Sequence, residues 1–114
     1  MESILTSVKK LIGMTEDYDA FDTDIIIHIN SVFMILNQMG VGPSEGFRIT
    51  GKDEIWTDFI PEDDLDFEAV KTYVYLKTRL VFDPPSSSGI MQAIKDAINE
   101  CEWRLHFAAE LRKG

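Results

Sequence analysis

The sequence predicts an all-α domain of four helices, with a short irregular or β-hairpin insertion between the second and third. Three observations carry this. Apolar residues recur three and four apart in four separate segments. Clusters of glycine, proline and serine stand where those segments must stop. Between the second and third segments lies a stretch, residues 41–66, in which Gly42, Pro43, Gly46 and Gly51 break any helical period.

The first helix is expected from about Ser3 to Ile12. Ile4, Leu5, Val8, Leu11 and Ile12 fall at helical spacing, and Gly13 stops it. The second runs from about Thr23 to Met39, with Asp22 as N-cap and Asp24 at the positive end of the helix dipole. Its seam is Ile25, Ile29, Val32, Leu36 and Met39, and Ile26, Ile27, Phe33 and Ile35 widen it. A helix apolar over so much of its circumference is expected to pack on more than one neighbour.

In the insertion, Gly46 to Thr50 reads as a short strand and Gly51-Lys52-Asp53 as its turn. Ile55-Trp56 then forms either a return strand or one turn of helix. Asp53 to Glu68 holds eight carboxylates and no basic residue. The third helix follows, from about Leu65 or Asp66 to Phe82. Ala69, Val70, Tyr73, Val74, Leu76, Leu80 and Val81 form its buried side. Asp83-Pro84-Pro85 ends it, because proline lacks an N–H and disfavours helical geometry in the residue before it. Serines 86–88 offer N-caps to a fourth helix, about Ser88 to Leu111, with the stripe Ile90, Ile94, Ala97 or Ile98, Cys101, Leu105 and Ala108. Trp103 and Phe107 fall off that stripe, so they either close a tight bundle or meet another subunit.

With 114 residues, 45% hydrophobic and 27% charged, residues 1–114 make one domain with a modest core. A net charge of −9 argues against a surface that grips nucleic acid. The single cysteine, Cys101, cannot form an internal disulfide and suits a reducing compartment. The opening residues lack a signal-peptide pattern and no apolar run would span a bilayer, so an intracellular, membrane-free product is expected.

No motif for catalysis emerges. His28 and His106 each lack a second histidine three or four residues away. The carboxylate run contains Pro61 but no internal glycine, unlike a calcium loop, and reads as a solvated or helix-capping face. Gly40-Val41-Gly42-Pro43 has none of the Gly-Lys-Ser/Thr ending of a phosphate cradle. No enzyme activity, metal or cofactor is expected.

The segments LTSVKKLIGM, FDTDIIIHINSVFMILNQMGVGP, ITGKDEIWTDF, EAVKTYVYLKTRLVFDPPSSS and ECEWRL, in this order, cover nearly the whole chain. Together they resemble the small head-tail connector (adaptor) proteins of tailed bacteriophages and prophages. The resemblance implies an α-helical virion protein, made in the host cytoplasm, that forms a ring at the portal vertex of the DNA-filled head. The ring, about twelve copies when docked on the portal, would be closed by heterologous contacts. It would extend the DNA channel and present a surface to the next head-completion or tail protein, with DNA passing through unbound.

Which residues meet which neighbour is a separate expectation. Trp56 and Phe59, in the Gly42–Phe59 loop, are candidates for contact with a neighbouring subunit or tail-side component. Trp103, Phe107, Leu111 and Arg112 are candidates for the portal-facing element, with a mobile tail from Glu110 to Gly114 that orders on docking. Asp53, Glu54, Asp58, Glu62, Asp63, Asp64 and Asp66 are candidates for a lumen that repels phosphate. Two alternatives remain. A stopper or tail terminator would be richer in β-strand, and an acidic DNA-mimic inhibitor would bind a basic host protein through residues 53–68.

Overall fold

Ser3 opens the first helix by accepting a hydrogen bond at Oγ from the Thr6 N–H, 3.0 Å away. The computed structural model describes residues 2–113 and places five helices in them. These are α1 (Ile4–Leu11), α2 (Asp22–Gln38), a single turn α3 (Trp56–Phe59), α4 (Phe67–Phe82) and α5 (Ser88–Lys113). The four long ones are those read from the sequence.

Helix α4 packs on α1, α2 and α5 and so forms the hub of the domain. Val70, Tyr73 and Val74 of α4 lie with Ile25, Ile29, Val32, Phe33 and Leu36 of α2 and Ile4, Leu5 and Val8 of α1 in one buried cluster. Helices α4 and α5 run antiparallel. The Tyr73 hydroxyl donates to Glu102 Oε2 at 2.7 Å, and Arg112, near the end of α5, reaches Asp66, just before α4. The shortest dimension is 21 Å, about two helix diameters. A slab that thin has one buried layer, so every apolar residue on an outer helix face meets solvent.

The insertion is not a hairpin. Among the described residues there is no strand, only an isolated antiparallel bridge between Ser3 and Ile55 beside a hydrogen bond from Ile4 N to Glu54 O. The alternation Phe47–Ile49 is real, since Ile49 is fully buried, but its backbone pairs with a side chain. Asn30 of α2 accepts from the Ile49 N–H at 2.7 Å and donates to the Ile49 carbonyl at 3.0 Å, the two bonds a neighbouring strand would have made. Asn30→Ala therefore costs about 2 kcal/mol, two ordinary hydrogen bonds. Urea unfolding checks it, and a loss under about 0.5 kcal/mol would mean the loop holds itself.

Several local expectations are corrected. Asp22 does not cap α2; it lies in the first turn and pairs with Lys9, while Phe21 holds the cap position without a side-chain bond. Leu65 precedes α4 and is almost wholly exposed. Val81 and Ile90, expected in the core, flank the proline turn and are more than half exposed, and the buried stripe of α5 starts only at Ile94. Ala109, rather than Ala108, is the buried alanine at its far end. The expected mobile tail is helical through Lys113, while Gly114 lies outside the described residues.

Candidate functional site

Trp56 and Phe59 are not contact residues on the outside of this subunit. Both are 4% exposed. The turn α3 folds them back over α2, where Phe33 meets Phe59 at 4.6 Å, Phe47 at 5.1 Å and Trp56 at 6.3 Å between ring centroids. The indole Nε1 donates to Ser7 Oγ at 2.9 Å, which also ties the turn to α1. No period marks burial in an irregular segment, yet this loop is the lid of the core.

The outer face of α5 is different. Trp103 is 66% exposed, Phe107 51% and Leu111 65%, and they stand at i, i+4 and i+8 on one ridge. The Trp103 and Phe107 rings are nearly parallel, 3° apart with centroids at 5.3 Å, and stack on each other as one exposed aromatic pair. With Met39 at the end of α2 they floor an open groove of about 360 Å³, whose rim is Glu102, His106 and Glu110. Glu102 is anchored by the Tyr73 hydroxyl, whose own ionisation is pushed far up by burial and then by that carboxylate. Met39 continues the seam of α2 in sequence, and its place beside the ridge follows only from how α5 lies across it.

Arg112 folds back along the surface toward the acidic run and stays about half exposed. It reaches Asp64 at 3.4 Å and also pairs with Asp66, clamping the end of α5 to the acidic run. The candidate lumen and the candidate portal-facing element are thus neighbours. Of the seven candidate acids, four do structural work. Asp58 Oδ2 accepts from the Ile55 N–H, which starts α3, and Asp64 Oδ1 accepts from the Asp66 N–H. Burial opposes ionisation of Glu54, but the N–H and hydroxyl of Thr50, together with the backbone N–H groups of Glu54 and Gly51, outweigh it and hold that carboxyl below its usual range. Asp53, Glu62 and Asp63 are left exposed to solvent.

Among the described residues no group of His, Cys, Asp and Glu is placed to hold a metal ion, and no helix is long and apolar enough to cross a membrane. His28 is half-buried against the edge of Phe82 with Nε2 3.2 Å from the Lys77 carbonyl, and burial lowers its proton affinity. The Cys101 thiol is pushed up by burial and then by Glu100, so it is a poor nucleophile.

The sequence matches the family described as phage connector protein, over residues 4–112. The chain belongs to the phage connector protein family. No curated protein and no solved structure matches it. As a phage connector it is a structural component of the bacteriophage particle, acting in head-tail connection during virion assembly. Its helical fold, with no strand among the described residues, departs from the β-rich stopper and tail-terminator alternative.

Proposed function

We propose that this phage connector forms a ring at the portal vertex, joining the DNA-filled head to the tail or to the next head-completion protein. The observation that carries this is the Trp103–Phe107–Leu111 ridge. A stacked, solvent-facing aromatic pair is costly to leave in water and gives large contact area with little side-chain entropy to lose. It has the composition of a contact centre rather than of a solvated helix face. The free carboxylates Asp53, Glu62 and Asp63, on a subunit of net charge −9, suit a channel wall from which DNA phosphates slide without sticking.

Native mass spectrometry over a concentration series, with electron microscopy of the large species and a pull-down on portal rings, tests this. The expected result is a closed ring, in solution or on the portal. A chain that neither self-associates nor binds a portal would overturn it.

A further inference from the structure

We propose that the last turn of α5 is a two-state latch, shut by Arg112 on Asp64 and Asp66 and opened when Asp66 turns to cap α4. The latch is a property of the single subunit and stands whether or not copies form a ring.

In the closed state α5 is helical through Lys113. Its last buried side chain is Ala109, set against Gly40, where a Cβ would lie 3.3 Å away. Beyond it Glu110, Leu111 and Arg112 are all exposed, so none of these three anchors the final turn by burial. A helix end without such an anchor frays, because its last carbonyls lack intrahelical partners. Arg112 holds this one. It reaches Asp66 and, at 3.4 Å, Asp64, beside a cleft of about 400 Å³ lined by Phe59, Ile60 and Pro61.

Asp66 has a second use for the same carboxylate. It stands at the N-cap of α4, yet its side chain makes no cap bond. Aspartate in that position ordinarily accepts from the second or third N–H of the helix, here Glu68 or Ala69. In the closed state its backbone, φ −91° and ψ 0°, is not the extended form that aims a cap oxygen. Asp64 keeps it so. Its Oδ1 accepts from the Asp66 N–H at 2.8 Å, and its carbonyl accepts from the Phe67 N–H at 3.1 Å. That same Oδ1 is the atom Arg112 reaches. Release of Arg112 therefore takes the cation from both carboxylates at once, and a cap replaces the lost pair. A half-exposed ion pair and a helix N-cap are of the same order, which is the condition for two populated states.

The two states differ in what α5 presents. Closed, Leu111 continues the row of Trp103 and Phe107; open, the row loses its last member. A partner that contacts Leu111 would draw the latch shut. That consequence rests on the ring reading, and the latch itself does not.

Hydrogen exchange read by NMR on four full-length chains tests this: wild type, Arg112→Gln/Lys113→Gln, Asp66→Asn and Asp66→Ala. Lys113 is included because it follows Arg112 with the same charge. Far-UV circular dichroism confirms that each chain folds. Removing the two cations is expected to speed exchange about fivefold at residues 110–112 and to slow it about fivefold at Glu68 and Ala69. The second readout decides, since a basic residue in the last turn steadies a helix end by itself. Asp66→Asn, which caps as well as aspartate but forms no ion pair, should repeat both changes. Asp66→Ala should repeat the first alone. Unchanged exchange at 110–112 would show that Arg112 does not hold the end. Faster exchange there without slowing at 68–69 would show a plain clamp, and slowing at 68–69 in Asp66→Ala would show that Asp66 is not the cap. Each of these overturns the latch and leaves the ring reading, judged by native mass spectrometry, standing.

Discussion

Lys9→Ala is expected to destabilise the subunit by about 3–5 kcal/mol, the range for breaking one partner of a buried pair. That is much of the 5–15 kcal/mol, roughly, that holds a domain of this kind folded. Lys9 has no solvent exposure. Its ammonium lies 2.8 Å from Asp22 Oδ1 and donates to the Glu16 carbonyl at 3.0 Å, so it pins the α1–α2 loop to the start of α2. Removing it strands a largely buried carboxylate and leaves a hole the length of three methylenes and an ammonium. Because Asp22 keeps 19% exposure, water can reach its edge, which favours the lower end of the range. Lys9→Met with Asp22→Asn fills the hole and removes both charges, and should lie within about 1.5 kcal/mol of wild type. Urea unfolding followed by circular dichroism reads all three chains. A Lys9→Ala loss below about 1 kcal/mol would show that the pair contributes little.

Lys9 also shows where the sequence was readable and where it was not. The long helices followed from period and punctuation, and four of them are present near their expected bounds. Lys9 stands in phase with Leu5 and Ile12, at i−4 and i+3, which is a core position. A lysine on a core stripe demands a buried acid; Asp22 is that acid, and its place at the start of α2 gives it the same sequence signature as a helix cap. Asn30 was invisible for a related reason. A side chain that replaces a strand partner leaves the same alternation in Phe47–Ile49 that a true strand would. Trp56 and Phe59 failed because burial in a loop depends on where the chain returns, and no period marks that. Trp103 and Phe107 lie off the one buried stripe of α5 and are exposed, which rules out that they close the bundle within this subunit.

Gly42→Ala should cost about 3 kcal/mol or more, against about 1 kcal/mol for Gly46→Ala, and the difference isolates one contact. Both glycines have left-handed backbones, φ +89° and +92°, so an added methyl pays the same conformational penalty at each. At Gly46 the methyl would meet nothing within 4 Å. At Gly42 it would lie 2.4 Å from Phe59 Cε1 and 2.5 Å from Cζ, inside the ring's own volume. Phe59 cannot simply swing away, because Phe33 at 4.6 Å and Phe47 at 5.3 Å hold it. The loop after α2 must then lift off the aromatic cluster. That loop forms one wall of the cleft in which Arg112 meets Asp64, so the same change should loosen the clamp on the end of α5. Thermal melts of the two variants, with hydrogen exchange at residues 108–112, separate the effects. Equal losses at both glycines would mean that Phe59 yields freely to the added methyl.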